Sequence, residues 1–264
     1  MSASKIKPNN YRVTFSSICL WSLFAVALIS ICLQYISWPS QPSIDKIGTT
    51  SCEPQPYVSR IVSYDPLIIH LENFITLAER AYLASVTNAN LKRSTVASRD
   101  GGPPIHRSSR TSSTAFLPHN DTIGQCIQKR AADFQGFLSP KKIEMLQVVQ
   151  YKEGQEYRAH YDWGVASEFK AERESTIFGI LEGDCEKCGT QFPKIAIDWT
   201  KEDPRWCDFV ECDILDALTF KATAGSAVFW KNLHVDGTGD LRTFHAGLPV
   251  GKGTKLGLNI WTIV

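Results

Sequence analysis

LQVVQYKEGQEYRAHYDWG, from Leu146 to Gly164, decides how this chain is read. Its first half has the β-branched and apolar texture of a short strand. The cluster Glu153-Gly154-Gln155-Glu156 reads as a turn. A second short run then ends in His160-Tyr161-Asp162. Side chains alternate across a strand, so His160 and Asp162 share one face and Tyr161 takes the other.

The same texture continues downstream in STIFGIL, ALTFKA, SAVFW and LGLNIWTIV, with EGDCEKCG, ATAG and PVGKGTK as punctuation. Upstream, Asn73 to Asn88 has apolar residues at helical spacing. From Thr122 to Phe137, Ile123, Cys126, Ile127, Ala131, Phe134 and Phe137 can share a second helical face. Ser98 to Thr114, rich in Gly, Pro and Ser, predicts a mobile loop. Helices followed by many short strands predict a mainly β fold with flanking helices, an antiparallel sandwich or jelly roll. There is no GxGxxG and no GxxxxGK[ST], so nucleotide-binding folds have no support. The composition, 43% hydrophobic and 21% charged with net charge +1, suits one globular domain plus an appendage. No basic block points to nucleic acid.

Two imidazoles and one carboxylate on one face of a metal, with the other positions open, are the ligand set of a non-haem Fe(II) oxygenase. The chain has two HxD triplets, His160-Tyr161-Asp162 and His234-Val235-Asp236. Only the first is followed by a His far enough away to stand on a separate strand, His245. The second runs into a Gly-rich turn. His160, Asp162 and His245 are therefore the expected iron ligands. Lys255, ten residues beyond His245 at the head of an apolar run, is the expected partner for the remote carboxylate of a dicarboxylate cosubstrate. Lys252 reads as solvated.

These stretches resemble the catalytic domain of the prolyl 4-hydroxylase family of 2-oxoglutarate dioxygenases, over roughly Ile61 to Val264. Tyr151, Gly154, Tyr157, His160 and Asp162 fall in register with its Tyr-x-x-Gly-x-x-Tyr-x-x-His-x-Asp pattern. RTSS at Arg110 to Ser113, CGTQFP at Cys188 to Pro193, GSAVFW and FHAGLPVGKGTKLGLNIW are similar to other family segments. The resemblance implies a double-stranded β-helix that uses Fe(II), 2-oxoglutarate and an ascorbate reductant. It places Tyr151 and Thr190 beside Lys255 at the cosubstrate, and Tyr157 and Trp261 near the substrate. Cys188 stands where the family often has Gly. The stretch from Cys185 to Cys212, with WCDFVECD, is similar to a fungal branch. The substrate expected from the resemblance is peptidyl proline. A small metabolite, tailored by hydroxylation, desaturation or epoxidation, is the alternative. A non-catalytic cupin-like or lectin-like jelly roll would require the triad and the lysine to be coincidental.

The N-terminus has its own logic. From Phe15 to Trp38 the chain is uncharged and mostly apolar, long enough for a bilayer, which needs about 20 residues. Lys5, Lys7 and Arg12 precede it, which predicts a cytosolic N-terminus and a lumenal bulk. The expected organisation is a cytosolic segment 1–12, a transmembrane signal anchor 13–38, a stem 39–60 and a catalytic domain 61–264. Placement is in the secretory membrane, in the endoplasmic reticulum. Six cysteines lie beyond the span, at 52, 126, 185, 188, 207 and 212. An oxidising lumen favours disulfides over zinc for them, with the pairing open. Asn120-Asp121-Thr122 is a glycosylation sequon.

Overall fold

Several strands here carry apolar residues on both faces, and both faces find something to bury against. The computed structural model describes residues 52, 54–96, 105–164 and 172–264. Among these, the strands in chain order are β1 (Val58–Tyr64), β2 (Leu67–Glu72), β3 (Lys92–Arg93), β4 (Ser113–Phe116), β5 (Gln147–Lys152), β6 (Tyr157–His160), β7 (Arg173–Glu186), β8 (Thr190–Phe192), β9 (Leu218–Phe220), β10 (Ala227–Lys231), β11 (His245–Gly247) and β12 (Lys252–Ile263). The helices are α1 (Leu77–Asn88) and α2 (Thr122–Phe134). The fold is mainly β. An eight-stranded sheet runs β1-β2-β10-β7-β12-β5-β4-β3, and a four-stranded sheet runs β6-β11-β8-β9. Every ladder is antiparallel, consistent with the expected jelly roll.

Period-2 alternation sorts the large sheet into two cores. Val148, Ile177, Phe229 and Leu258 join the helices in one. Their neighbours Val149, Phe178, Val228 and Trp230 fill the other, with Phe192 and Phe220 of the small sheet. Tyr151 belongs to this second core, and Lys255 pairs with it across β5 and β12.

The helices are fixed by local chemistry. Thr76 caps α1 through a capping box with Glu79. Glu79 also receives both Nη atoms of Arg130 on α2, at 2.9 and 2.6 Å. Asp121 caps α2 by accepting from Gly124 N at 2.7 Å, and it accepts from the Tyr82 hydroxyl of α1 at 2.6 Å. Asn120 is exposed beside it.

Several expectations need correction. The first helix begins at Leu77, because Asn73 adopts a left-handed φ of 59°. The second ends at Phe134, and Phe137 is exposed after the left-handed Gly136 rather than on the buried face. Two strands, β1 and β2, precede the helices, and β1 begins inside the segment read as stem. Of the expected mobile loop, residues 98–104 lie outside the described part. Its end is ordered: Arg110 and Ser112 are buried and Ser113 opens β4. The segments 1–12 and 13–38, and most of the stem, lie outside the described residues. Among those described, no helix is long and apolar enough to cross a membrane.

All six cysteines beyond the apolar span are disulfide-bonded, as Cys52–Cys126, Cys185–Cys188 and Cys207–Cys212. None of them is therefore a zinc ligand.

His70, on β2, points into the second core at 2% exposure. Its ring stands 4.5 Å from that of Phe209, and its Nδ1 has no hydrogen-bond partner among the described residues. Burial, then the nearby Arg60 charge, lowers its pKa from 6.5 to about 4. The fold thus tolerates only neutral His70. Its contribution is complete above pH 6.5 and lost as pH falls toward 4. His70→Leu should flatten this acid loss by about 3 kcal/mol relative to wild type. Denaturant melts at pH 7.5 and 4.5 check it, and equal acid sensitivity in both proteins would contradict the assignment.

Candidate metal and cosubstrate site

β6 and β11 are neighbours, and their register sets His160 opposite His245. His160, Asp162 and His245 bring one ligand atom each to within 4.8 Å of one another, a group that could hold a metal ion. Each histidine is oriented in the same way. His160 Nδ1 donates to Arg158 O at 2.9 Å, and His245 Nδ1 donates to Thr243 O at 2.9 Å. A carbonyl can only accept, so Nδ1 carries the proton and Nε2 presents its lone pair. The Nε2 atoms lie 3.5 and 3.7 Å from the two oxygens of Asp162. Burial, and the neighbouring His160, lower the His245 pKa to about 4, so its ring is neutral and competent as a ligand at neutral pH.

Asp162 is equally constrained. Its Oδ2 accepts from Thr176 Oγ1 at 2.7 Å and from Trp261 Nε1 at 3.1 Å. Asn232 Nδ2 in turn donates to Thr176 Oγ1 at 2.9 Å. Oδ1 is left toward the histidines. Burial raises the pKa of this carboxyl, but His245 and His160 outweigh it and hold the group ionised. A buried carboxylate facing two imidazole Nε2 atoms is a donor set that fits a divalent metal.

The second half of the site is the lysine. Lys255 is fully buried, and its Nζ donates to Cys188 O at 2.6 Å. Among the described residues no carboxylate pairs with it. Burial alone lowers its pKa to about 7. Its Nζ stands 5.0 Å from the Tyr151 ring centroid. A Cβ on Gly247 would come within 3.7 Å of Tyr151 Oη and 3.8 Å of Lys255 Nζ, so the glycine keeps this corner open. A buried ammonium beside an open corner fits a carboxylate ligand. A small cleft beside the triad is lined by Tyr151, Thr190, Phe178, Trp230, Asn259 and the triad itself.

The structure thus brings all eight expected residues together. Tyr157 stacks on His160, with ring centroids 3.6 Å apart, and lies under the Arg110 guanidinium at 4.7 Å. Trp261 lines the cleft, its indole N–H restrains Asp162, and Arg173 covers its ring at 3.6 Å. Thr176, Asn232 and Gln147 were not anticipated, because isolated polar residues in strands read as solvent-facing. Gln147 Oε1 accepts from Arg110 Nη2 at 2.9 Å and from Asn259 Nδ2 at 3.0 Å. His234-Val235-Asp236 forms the predicted surface turn, with Val235 fully exposed.

A prediction follows from the lysine. Only the ammonium form can meet a carboxylate, and the free protein loses that proton as pH rises through about 7. Affinity for 2-oxoglutarate should fall above pH 7, by up to about tenfold per unit. Lys255→Ala should raise the 2-oxoglutarate KM by about a hundredfold, since stranding one partner of a buried pair costs about 3–5 kcal/mol. Metal affinity should be unchanged, and Lys252→Ala, at an exposed site, should be silent. Steady-state titrations read this; a normal KM in Lys255→Ala with a raised one in Lys252→Ala would reverse the assignment.

The profile of the 2OG-Fe(II) oxygenase superfamily matches residues 146–263. Prolyl 4-hydroxylase 1 of Arabidopsis thaliana is 31% identical over 212 residues, which span 76% of this chain and 70% of that protein. Prolyl 4-hydroxylase subunit alpha-2 of Caenorhabditis elegans is 30% identical over 207 residues, 78% of this chain but 36% of that one. Among solved structures, the viral collagen prolyl hydroxylase from Paramecium Bursaria Chlorella virus-1, in its 2OG complex, shares the fold. Its TM-score is 0.52 at 24% identity, covering 75% of this chain and 96% of that one. With the triad and the buried lysine in place, the chain belongs to the 2OG-Fe(II) oxygenase superfamily and is a prolyl 4-hydroxylase-like, Fe(II)- and 2-oxoglutarate-dependent dioxygenase.

Proposed function

We propose that this dioxygenase hydroxylates proline within a peptide chain, from the lumenal side of a secretory membrane. With Fe(II) bound, the site would supply the oxidising chemistry that inserts oxygen into an unactivated C–H bond as 2-oxoglutarate and O2 become succinate and CO2. His160, Asp162 and His245 are assigned to the metal, and Lys255 to the distal carboxylate of 2-oxoglutarate. Tyr151 remains a protonated phenol, since burial raises its pKa, and can donate to the same carboxylate. Thr190 adds a hydroxyl on the cleft wall. Thr176 and Trp261 keep Asp162 from turning away. Phe178 and Trp230 exclude water from the reacting face. Tyr157, whose pKa burial pushes up to about 12, offers the substrate a neutral hydroxyl.

The observation that carries the peptide reading is a second concavity. An open groove borders β4 and the edge strand β3 of the large sheet and is also lined by Gln147. Gln147 is hydrogen-bonded to Asn259 of the catalytic cleft. An open groove along a sheet edge can seat an extended chain, whose backbone pairs with edge strands. The names of the relatives point the same way. The lumenal placement is supported by the pairing of all six cysteines beyond the apolar span.

Two experiments test these proposals. Substrate-coupled succinate formation should appear with proline-rich peptides, vanish in His160→Ala and persist in His234→Ala. Turnover confined to small lipophilic metabolites would replace the peptide reading. The full chain should resist alkaline carbonate extraction and carry glycan on Asn120; release into the soluble fraction would remove the anchor.

A further inference from the structure

The Cys185–Cys188 disulfide joins the two sheets at the corner where Lys255 is buried. Cys185 is in β7 of the large sheet, opposite Gly253 of β12. Two residues on, Lys255 leaves the same strand β12, opposite Gly183. Cys188 lies just before β8 of the small sheet, where Thr190 pairs with Gly247. The bridge spans three positions of sequence, so it closes the β7–β8 connection at its tip.

Two features set this bridge apart from a general fold staple. The unfolded chain gains little from it, because loop-closure entropy grows with the length of the loop. Cys52–Cys126, with a separation of 74, is the bridge suited to stabilising the domain. And the backbone it fixes is in use: the carbonyl of Cys188 holds Lys255 Nζ at 2.6 Å, with both groups buried. Gly189, the next residue, has no room to adapt, since a Cβ there would lie 2.7 Å from Phe220 O.

We propose that the Cys185–Cys188 disulfide is a positioning element for 2-oxoglutarate, holding the Cys188 carbonyl so that Lys255 meets the distal carboxylate without reorganising. This rests on the cosubstrate role assigned to Lys255 above. The ammonium has three donors. One goes to Cys188 O, which leaves the others for the ligand. With the bridge intact, binding pays nothing to order the lysine; with it open, that ordering is added to each binding event.

The test is a binding isotherm rather than turnover. Calorimetry of 2-oxoglutarate into the full-length protein loaded with Mn(II) under argon compares wild type, Cys185→Ser/Cys188→Ser and, as control, Cys207→Ser/Cys212→Ser. The first double variant should bind 2-oxoglutarate about tenfold more weakly, the scale of one charge-assisted hydrogen bond. Its Mn(II) affinity should be unchanged, and the control should match wild type. If the serine pair does not fold, the same titration is run on folded wild type reduced with dithiothreitol. Each bridge opened there yields two thiols against one oxidised dithiothreitol, and alkylation mapping confirms opening at Cys185 and Cys188. Equal or tighter 2-oxoglutarate binding without the bridge, or the same loss in the control, overturns the proposal while the dioxygenase assignment stands. Absence of 2-oxoglutarate binding to wild type would overturn both.

Discussion

A lysine ammonium sealed from water, with the Cys188 carbonyl for company, is the group around which the site is arranged. Lys255 is planted mid-strand in the large sheet and aims into the core between the two sheets. Leaving such a charge unpaired is unfavourable by several kcal/mol in any account of buried ions. Gly247 is its small neighbour on the cleft side. The carboxylate of Asp162 carries the opposite deficit at the other end of the cleft. One end of the cleft asks for an anion and the other for a cation, and a metal chelated by a dicarboxylate meets both requirements at once.

The rest of the fold serves to keep these two ends in register. Both faces of the large sheet are buried, so strands β5, β7, β10 and β12 cannot slip by one residue without exchanging the contents of the two cores. The same constraint fixes Tyr151 beside Lys255 and sends both inward. The small sheet is short, and its alignment depends on β11 pairing with both β6 and β8. The helical layer supports the far face of the large sheet and takes no direct part in the chemistry.

The triad and the lysine were legible in the sequence because each depends on a short-range rule. HxD on a strand needs only alternation, and a distant His needs only a return strand. Residues whose roles depend on long-range pairing were not legible. Thr176 reads as an ordinary β-branched strand residue until β7 is set beside Asp162. Gln147 and Asn259 meet only because β5 and β12 pair. The cysteine pairing was open for the same reason, since spacing cannot tell a local bridge from one that reaches 74 positions away. The hydrogen bond from Trp261 to Asp162 is likewise a contact that no motif conveys. β1 and β2 were missed because polar and apolar residues alternate there beside a Pro-rich stretch that masked the change of texture.

The facing of His160 and His245 has one more consequence. These residues end β6 and begin β11, where the ladder is only a few residues long and its register shifts. A metal bound by both imidazoles would close this seam as a clasp between strands, and it would favour the folded chain in proportion to its concentration. Without it, the seam is held by a few backbone bonds and by ring packing. Iron supply would then govern more than turnover. It would set how often the mouth of the barrel opens to proteases, and so how long each copy of the enzyme survives.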